Sequence, residues 1–109
     1  MSDISIYIDV EDGLKRVGGN MGLYKKLLQR FIDGNYFETL ENHIRSGDAE
    51  EAVHDAHTLK GVAANLSLVK VYPLSAAIEQ QLKSGQDCSE NMAELKEAVN
   101  NTVEAISSI

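Results

Sequence analysis

Three residues near the middle of the chain, His57, Lys60 and Gly61, have the types and the spacing of a reactive site. Residues three and four positions after a histidine share its side of an α-helix. A neutral imidazole is a competent nucleophile near neutral pH. Lys60 would add a positive charge one turn away, and Gly61 would leave the ring uncovered at a cost of ~1 kcal/mol of helix stability. The pattern therefore predicts an accessible nucleophilic histidine.

A helix predicted over residues 48–66 would position these side chains. With a rotation of ~100° per residue, the residues of its core stripe project within ~40° of one direction. The stripe consists of Ala52, Ala56, Leu59, Ala63 and Leu66. His57 points ~140° away from it and is predicted to be exposed. The residues that share the side of His57 are Val53, His54, Lys60, Gly61 and Ala64. This face carries few large side chains, which indicates a histidine that a large partner must approach.

The run Ala56-His57-Thr58-Leu59-Lys60-Gly61, followed by Ala63-Ala64-Asn65-Leu66, resembles the signature of the histidine-containing phosphotransfer (HPt) domain. The resemblance extends roughly from Asp9 to the C-terminus. It implies an all-α, antiparallel up-down-up-down four-helix bundle. Such domains shuttle phosphoryl groups between receiver-domain aspartates in two-component relays. His57 would be the phosphorylated residue, and Lys60 would pair with phosphoryl oxygens.

The resemblance also implies a division of labour between two proteins. Phosphoryl transfer needs in-line geometry and a metal that offsets the developing charge. No acidic metal pocket is evident beside His57, so no cofactor is predicted for this chain. The receiver domain would supply the aspartate and Mg²⁺. The chain would then be a phosphocarrier and not an enzyme by itself, with Val53, His54, Gly61 and Ala64 as its docking face.

Two residues further along the chain are predicted to support the histidine. Aligned through Ser67, Glu79 and Lys83 match positions where the family often has a Gln or Glu and a basic residue. Glu79 would accept a hydrogen bond from Nδ1–H of His57 and leave Nε2 free. The alternative is an ordinary surface Glu–Lys pair one helical turn apart. The chain departs from the family pattern at Ser67, where Gly is usual, and at Pro73, which predicts a kink or an irregular first turn.

The remaining elements follow from capping residues and apolar periodicity. Residues 2–8 alternate, with Ile4, Ile6 and Ile8 on one side, and this predicts an extended N-terminal arm over residues 1–8. Asp9 and Asn20 are predicted N-caps of a short extra helix and of a longer one, which breaks near Gly34. The predicted N-caps of the next two helices are Asp48 and Ser67, and a last helix begins near Ser89. The 109 residues are predicted to form one domain.

Composition limits the possible partners and locations. The formal charge of −7 disfavours nucleic acid and anionic lipid. No apolar run approaches the ~20 residues of a membrane span. Met1-Ser2-Asp3 lacks the basic start of a signal peptide, and Cys88 is the single cysteine. We therefore expect a cytoplasmic location, with a monomer as the default state. The resemblance to the HPt family implies that the partners are response-regulator receiver domains, a hybrid sensor histidine kinase, or both.

Two other functions fit the residues less well. A helical adaptor could keep the docking face and transfer nothing. A metal-binding bundle could use Glu50, His54 and His57, but no matching Glu-x-x-His occurs on another predicted helix. An enzyme in its own right is disfavoured, because the chain has no nucleotide-binding motif, no Gly-x-Ser-x-Gly and no paired thiols.

Overall fold

The computed structural model describes residues 4–109, and this part of the chain contains helices and no strand. The all-α prediction is confirmed. A short 3-10 turn at Ile4–Ile6 comes first. The α-helices that follow are α1 (Val10–Arg16), α2 (Met21–Asp33), α3 (Tyr36–Arg45), α4 (Ala49–Leu66), α5 (Val71–Lys83) and α6 (Ser89–Ile106).

Helix α4 lies at the centre of the structure. It packs most extensively against α5 and α3, and it also contacts α1 and α2. All five residues of its predicted core stripe are buried, and His57 lies on the exposed side. The small stripe residues let neighbouring helices approach closely, so α4 is held on several sides. The side chain of His57 on its outer face therefore rests on a rigid element.

Three predicted N-caps are confirmed. The side chains of Asp9, Asn20 and Asp48 accept hydrogen bonds from backbone N–H groups in the first turns of α1, α2 and α4. The prediction that Ser67 is a fourth N-cap is wrong. Ser67 ends α4 in a left-handed conformation (φ 57°), and its hydroxyl donates to Asp12. It takes the position of the helix-ending glycine that normally adopts this conformation.

The two predicted irregularities are present. Helix α2 ends at Asp33, and Asn35 adopts a left-handed conformation (φ 52°) before α3 begins, so the predicted break at Gly34 is confirmed. The turn at residues 67–70 is the irregular segment before α5. Pro73 follows as the third residue of α5. The first turn of a helix has N–H groups without intrahelical partners, so Pro73 removes no helical hydrogen bond there.

The N-terminal segment differs from the predicted extended arm. Its first described residues form the 3-10 turn, and residues 1–3 of the arm lie outside the described part of the chain. Ile8 is 1% exposed and forms an antiparallel bridge with Leu68, whereas Ile6 is 48% exposed. The placement of Ile4, Ile6 and Ile8 on one side is therefore wrong, because alternation holds only for an extended backbone.

Candidate functional site

His57 presents its imidazole on the outer face of α4. Its side chain is 65% exposed, and its Nδ1 lies 3.0 Å from Oε2 of Glu79 on α5. An ionised carboxylate can only accept a hydrogen bond, so Nδ1 carries the proton and donates it. The lone pair of the neutral ring is then on Nε2. Among residues 4–109, no side chain or backbone group makes a hydrogen bond to that nitrogen.

The carboxylate of Glu79 is the buried centre of the site. Only 5% of its side chain is exposed. Its Oε1 lies 2.7 Å from Nζ of Lys60, and its Oε2 lies 3.2 Å from Nζ of Lys83. The hydrogen bond from Lys60, against the opposing effect of burial and with help from Lys83 and His57, lowers the pKa of Glu79 to about 2. Glu79 is therefore ionised at neutral pH.

The two lysines approach this carboxylate from different helices. Lys60 follows His57 by one turn on α4, and its side chain is 29% exposed. The hydrogen bond to Glu79 raises the pKa of Lys60 above its usual value, while partial burial opposes the rise. Lys83 lies one turn after Glu79 on α5 and is 51% exposed. The contact predicted between Glu79 and His57 is present, and Pro73 does not displace it.

The helix surface beside His57 carries few large side chains. A Cβ atom added at Gly61 would meet no heavy atom within 4 Å outside its own stretch of helix. Val53 and Ala64 are partly buried, and His54 is exposed. A partner could therefore approach the ring over Gly61 without displacing a large side chain. The helix places all the residues of the predicted docking face on this side of α4.

A cleft of about 330 Å³ continues this surface beyond Ala64. It lies between α1, the end of α4 and the start of α5, and Val69 and Tyr72 on its wall are both exposed. The sequence reasoning missed these two residues. Their apolar side chains lie in and just after the turn at residues 67–70, where no periodic pattern indicates which side chains face solvent.

Among residues 4–109, no group of three or more His, Cys, Asp and Glu side chains could hold a metal ion, and Glu50, His54 and His57 form no such group. No helix in the same part of the chain is long and apolar enough to cross a membrane.

Comparison with known families assigns the chain to a class of protein. The family model for the Hpt domain matches residues 26–106, which is more than half of the chain. The chain therefore belongs to the Hpt domain family, and the predicted resemblance is confirmed. Proteins of this family carry out phosphotransfer in two-component phosphorelays and interact with receiver domains and kinases. A search of curated proteins finds no match.

Proposed function

We propose that the chain is a phosphohistidine relay domain, in which Nε2 of His57 accepts a phosphoryl group from the aspartate of one receiver domain and passes it to another. One observation supports this most directly. The exposed ring donates from Nδ1 to the buried carboxylate of Glu79, so the nucleophilic nitrogen is the one left free. Lys60, one turn after His57 and paired with the same carboxylate, adds positive charge to the site.

The proposed step is an in-line displacement at phosphorus. The Nε2 lone pair forms the P–N bond as the bond from phosphorus to the aspartyl oxygen breaks, and the electron pair of that bond returns to the carboxylate. The phosphoramidate formed is labile enough to react in the reverse direction with a second aspartate. The partner receiver domain provides the aspartate and Mg²⁺. The chain is thus a phosphocarrier whose chemistry is completed by its partner.

The proposed architecture is an antiparallel up-down-up-down four-helix bundle. Its members are the broken pair α2 and α3 counted as one, then α4, α5 and α6, with α1 as the extra N-terminal helix. Short connections support this arrangement, because consecutive helices joined by short loops pack antiparallel. A single domain over residues 1–109, a monomeric state and a cytoplasmic location stay predictions.

The proposed docking face consists of Val53, His54, Gly61 and Ala64. Its support is the open space over Gly61 and the small side chains around His57. Receiver domains of response regulators or of a hybrid sensor kinase are the proposed partners. Contact over this face would bring an aspartate to Nε2 and exclude water, which strengthens the pairing of Lys60 with phosphoryl oxygens.

The first test is phosphoryl transfer from a phosphorylated receiver domain in Mg²⁺. We expect label on the wild-type chain that is lost in acid and kept in alkali. His57→Gln should carry no label and should keep the circular dichroism spectrum of the wild type. His43→Gln is the matched control, because it removes an imidazole on α3, outside the proposed docking face, and should still be labelled.

Two outcomes would change the assignment. A His57→Gln chain that accepts phosphoryl groups would show that His57 is not the acceptor. Stable binding of receiver domains without label on the wild-type chain would favour the adaptor function instead.

A further inference from the structure

The basic residues of this acidic chain are unevenly distributed. Residues 13–32 form the end of α1, the turn after it and most of α2. They include five of the ten Lys and Arg residues and none of the 17 Asp and Glu residues. All five are exposed, and they are Lys15, Arg16, Lys25, Lys26 and Arg30. Positive charge is therefore concentrated on one part of a surface that is otherwise negatively charged.

The three cations of α2 have no acidic partner. Each of the two cations of α1 pairs with a carboxylate one turn earlier. By contrast, Lys25, Lys26 and Arg30 form no ion pair with any side chain in the described part of the chain. The single acidic residue of α2 is Asp33, which is the last residue of the helix. No carboxylate therefore neutralises these three charges locally.

Two of these cations lie in a row beside the helix that carries His57. Leu23, Lys26 and Arg30 share one face of α2, because residues three and four positions apart are neighbours on a helix. We call these three residues the cationic row. Helix α2 packs against α4, and the hydroxyl of Tyr24 donates a hydrogen bond to the end of α4. The axes of packed helices are about 8–10 Å apart, so the row is close to the surface around His57.

The partner that the proposed function requires is negatively charged where it meets His57. Mg²⁺ is held by carboxylates and phosphoryl oxygens, so the aspartate of a receiver domain lies among other anionic groups. The chain itself has a formal charge of −7, and two acidic proteins repel each other. Exposed charges act over about 8–10 Å at moderate salt, which is the spacing of neighbouring helices. Positive charge on α2 is therefore close enough to offset this repulsion.

We propose that the cationic row is a second contact surface for the receiver domain, in which Lys26 and Arg30 attract the acidic rim of the partner's phosphorylation site. The inference rests on the proposed function of His57 and extends the proposed docking face from α4 to α2. Leu23, which is 42% exposed, adds apolar area to the same contact. The row touches none of the reacting atoms, so it acts on association and not on formation of the P–N bond.

An anionic lipid surface is the other partner that a positively charged helix face could attract. Helices that lie in a membrane interface bury a whole apolar face in the lipid. The apolar face of α2 is already buried in the protein core, through Tyr24, Leu28 and Phe31. Its exposed large apolar side chains are Met21 and Leu23. Since α2 has no free apolar face to insert, its charges favour a protein partner.

The test measures phosphoryl transfer from a phosphorylated receiver domain to the wild type and to Lys26→Gln/Arg30→Gln. The second-order rate constant of the variant should be about 5- to 10-fold lower at about 20 mM salt, because attraction between opposite charges speeds encounter. At about 0.5 M salt the difference should be less than about 2-fold, because salt screens the attraction. The rate at saturating receiver should be unchanged, since neither side chain touches the reacting atoms.

Arg45→Gln/Lys96→Gln is the matched control. It changes the net charge by the same amount, but Arg45 and Lys96 lie on α3 and α6, where they line a separate cavity of about 390 Å³. This variant should transfer at the wild-type rate at both salt concentrations. Potassium phosphoramidate is a small phosphoryl donor that needs no docking surface, so it should label His57 equally in all three proteins.

Three outcomes would overturn the second contact and leave the relay function intact. The first is an equal rate and an equal salt dependence in the two double variants. The second is a lower rate for Lys26→Gln/Arg30→Gln at saturating receiver with an unchanged salt dependence, which indicates altered structure. The third is wild-type transfer by this variant together with loss of the wild type's sedimentation with vesicles of about one-third phosphatidylserine, which assigns the cations to a membrane.

Failure of the proposed function gives a different result. In that case neither phosphoramidate nor a phosphorylated receiver would label His57 in the wild type. The proposed function and the second contact would then both be overturned.

Discussion

Among the single residues of the site, Glu79 depends most on its partners, because its charged carboxylate is buried. Burying a carboxylate without partners costs several kcal/mol, and a buried charge is tolerated when opposite charges and hydrogen bonds surround it. Glu79 has both, from Lys60 and Lys83 and from His57. The exposed histidine is therefore oriented by an inner charge that solvent hardly reaches.

Substitutions of Gly61 test whether the open space beside His57 matters for docking. Because a Cβ at this position meets nothing, Gly61→Ala should raise the free energy of unfolding by about 0.5–1 kcal/mol. Gly61→Gln should keep the fold and reduce transfer from a receiver, chiefly by raising the receiver concentration needed for half-maximal rate. Urea unfolding and transfer kinetics measure the two effects. Unchanged kinetics in Gly61→Gln would show that the open face is irrelevant.

The residues of the site differ in how far the sequence could predict them. The shared face of His57, Lys60 and Gly61 follows from their spacing on one helix, whereas their role was implied mainly by the family resemblance. Glu79 was reached only by alignment with the family, since its distance from His57 depends on how α5 is placed against α4. Tyr72 was missed because the turn that exposes it has no periodic pattern.

Among the helices, α3 and α4 are joined by a side-chain contact in addition to their apolar packing. Nδ1 of His43 forms a short contact with Oδ2 of Asp55, two residues before His57 on α4. The side chain of His43 is only partly exposed. This contact ties α3 to the half of α4 that leads to the site.

The contact should make stability depend on pH. The hydrogen bond to Asp55, helped by the charges of Asp55, Asp48 and Glu51 and opposed by desolvation, raises the pKa of His43. Because His43 binds its proton more tightly in the folded state, protonation of His43 stabilises the fold. This stabilisation is complete below the pKa of His43 in the unfolded chain, about 6.5, and it is lost as the pH rises through the pKa of His43 in the folded state. The difference in Tm between the wild type and His43→Gln should thus be larger at pH 5.5 than at pH 9.

Thermal unfolding at the two pH values measures this difference. Asp55→Asn is the companion variant, since it removes the partner and should lose the same pH-dependent part. A wild-type advantage over His43→Gln that is equal at both pH values would contradict the assignment.

Helix α6 shows where apolar periodicity misleads. The large apolar residues that recur about once per turn of α6 are Met92, Leu95, Val99, Val103 and Ile106. The residues that are buried are Met92, Leu95, Ala98, Thr102 and Ala105. Large apolar residues dominate a sequence pattern, but small residues occupy the line of closest approach between helices. The helix is present as predicted. Its fully buried line runs beside the large apolar residues, of which Val99, Val103 and Ile106 are partly buried against the core.

In the molecule as a whole, the N-terminal segment is joined to the turn that positions α5. Backbone hydrogen bonds link Asp9 to Ser67 and Val69 to Tyr7. The buried hydroxyl of Tyr24 donates to the carbonyl oxygen of Leu66 at 2.7 Å. One partner of each contact, Tyr7, Asp9 or Tyr24, precedes the range matched by the family model, and the other lies within it. These contacts hold the end of α4 and the turn at residues 67–70, on which the placement of Glu79 depends.

Two isoleucines of this segment provide the corresponding test. Ile8 is 1% exposed and belongs to the main core, whereas Ile6 is 48% exposed. Ile8→Ala should lower the free energy of unfolding by about 2–4 kcal/mol, because it leaves a cavity beside Leu68. Ile6→Ala removes the same atoms from solvent-exposed space and should change it by less than about 0.5 kcal/mol.

Urea unfolding followed by circular dichroism compares the two variants with the wild type. If each protein unfolds in a single transition and only Ile8→Ala lowers its urea midpoint, residues 4–8 unfold together with the helices. If Ile8→Ala lowers the free energy of unfolding no more than Ile6→Ala does, the segment adds nothing to the core. In that case the turn at residues 67–70 would have to be held by Tyr24 and by the left-handed Ser67, and Tyr24→Phe, which leaves the buried carbonyl of Leu66 without its donor, should then be the costlier change.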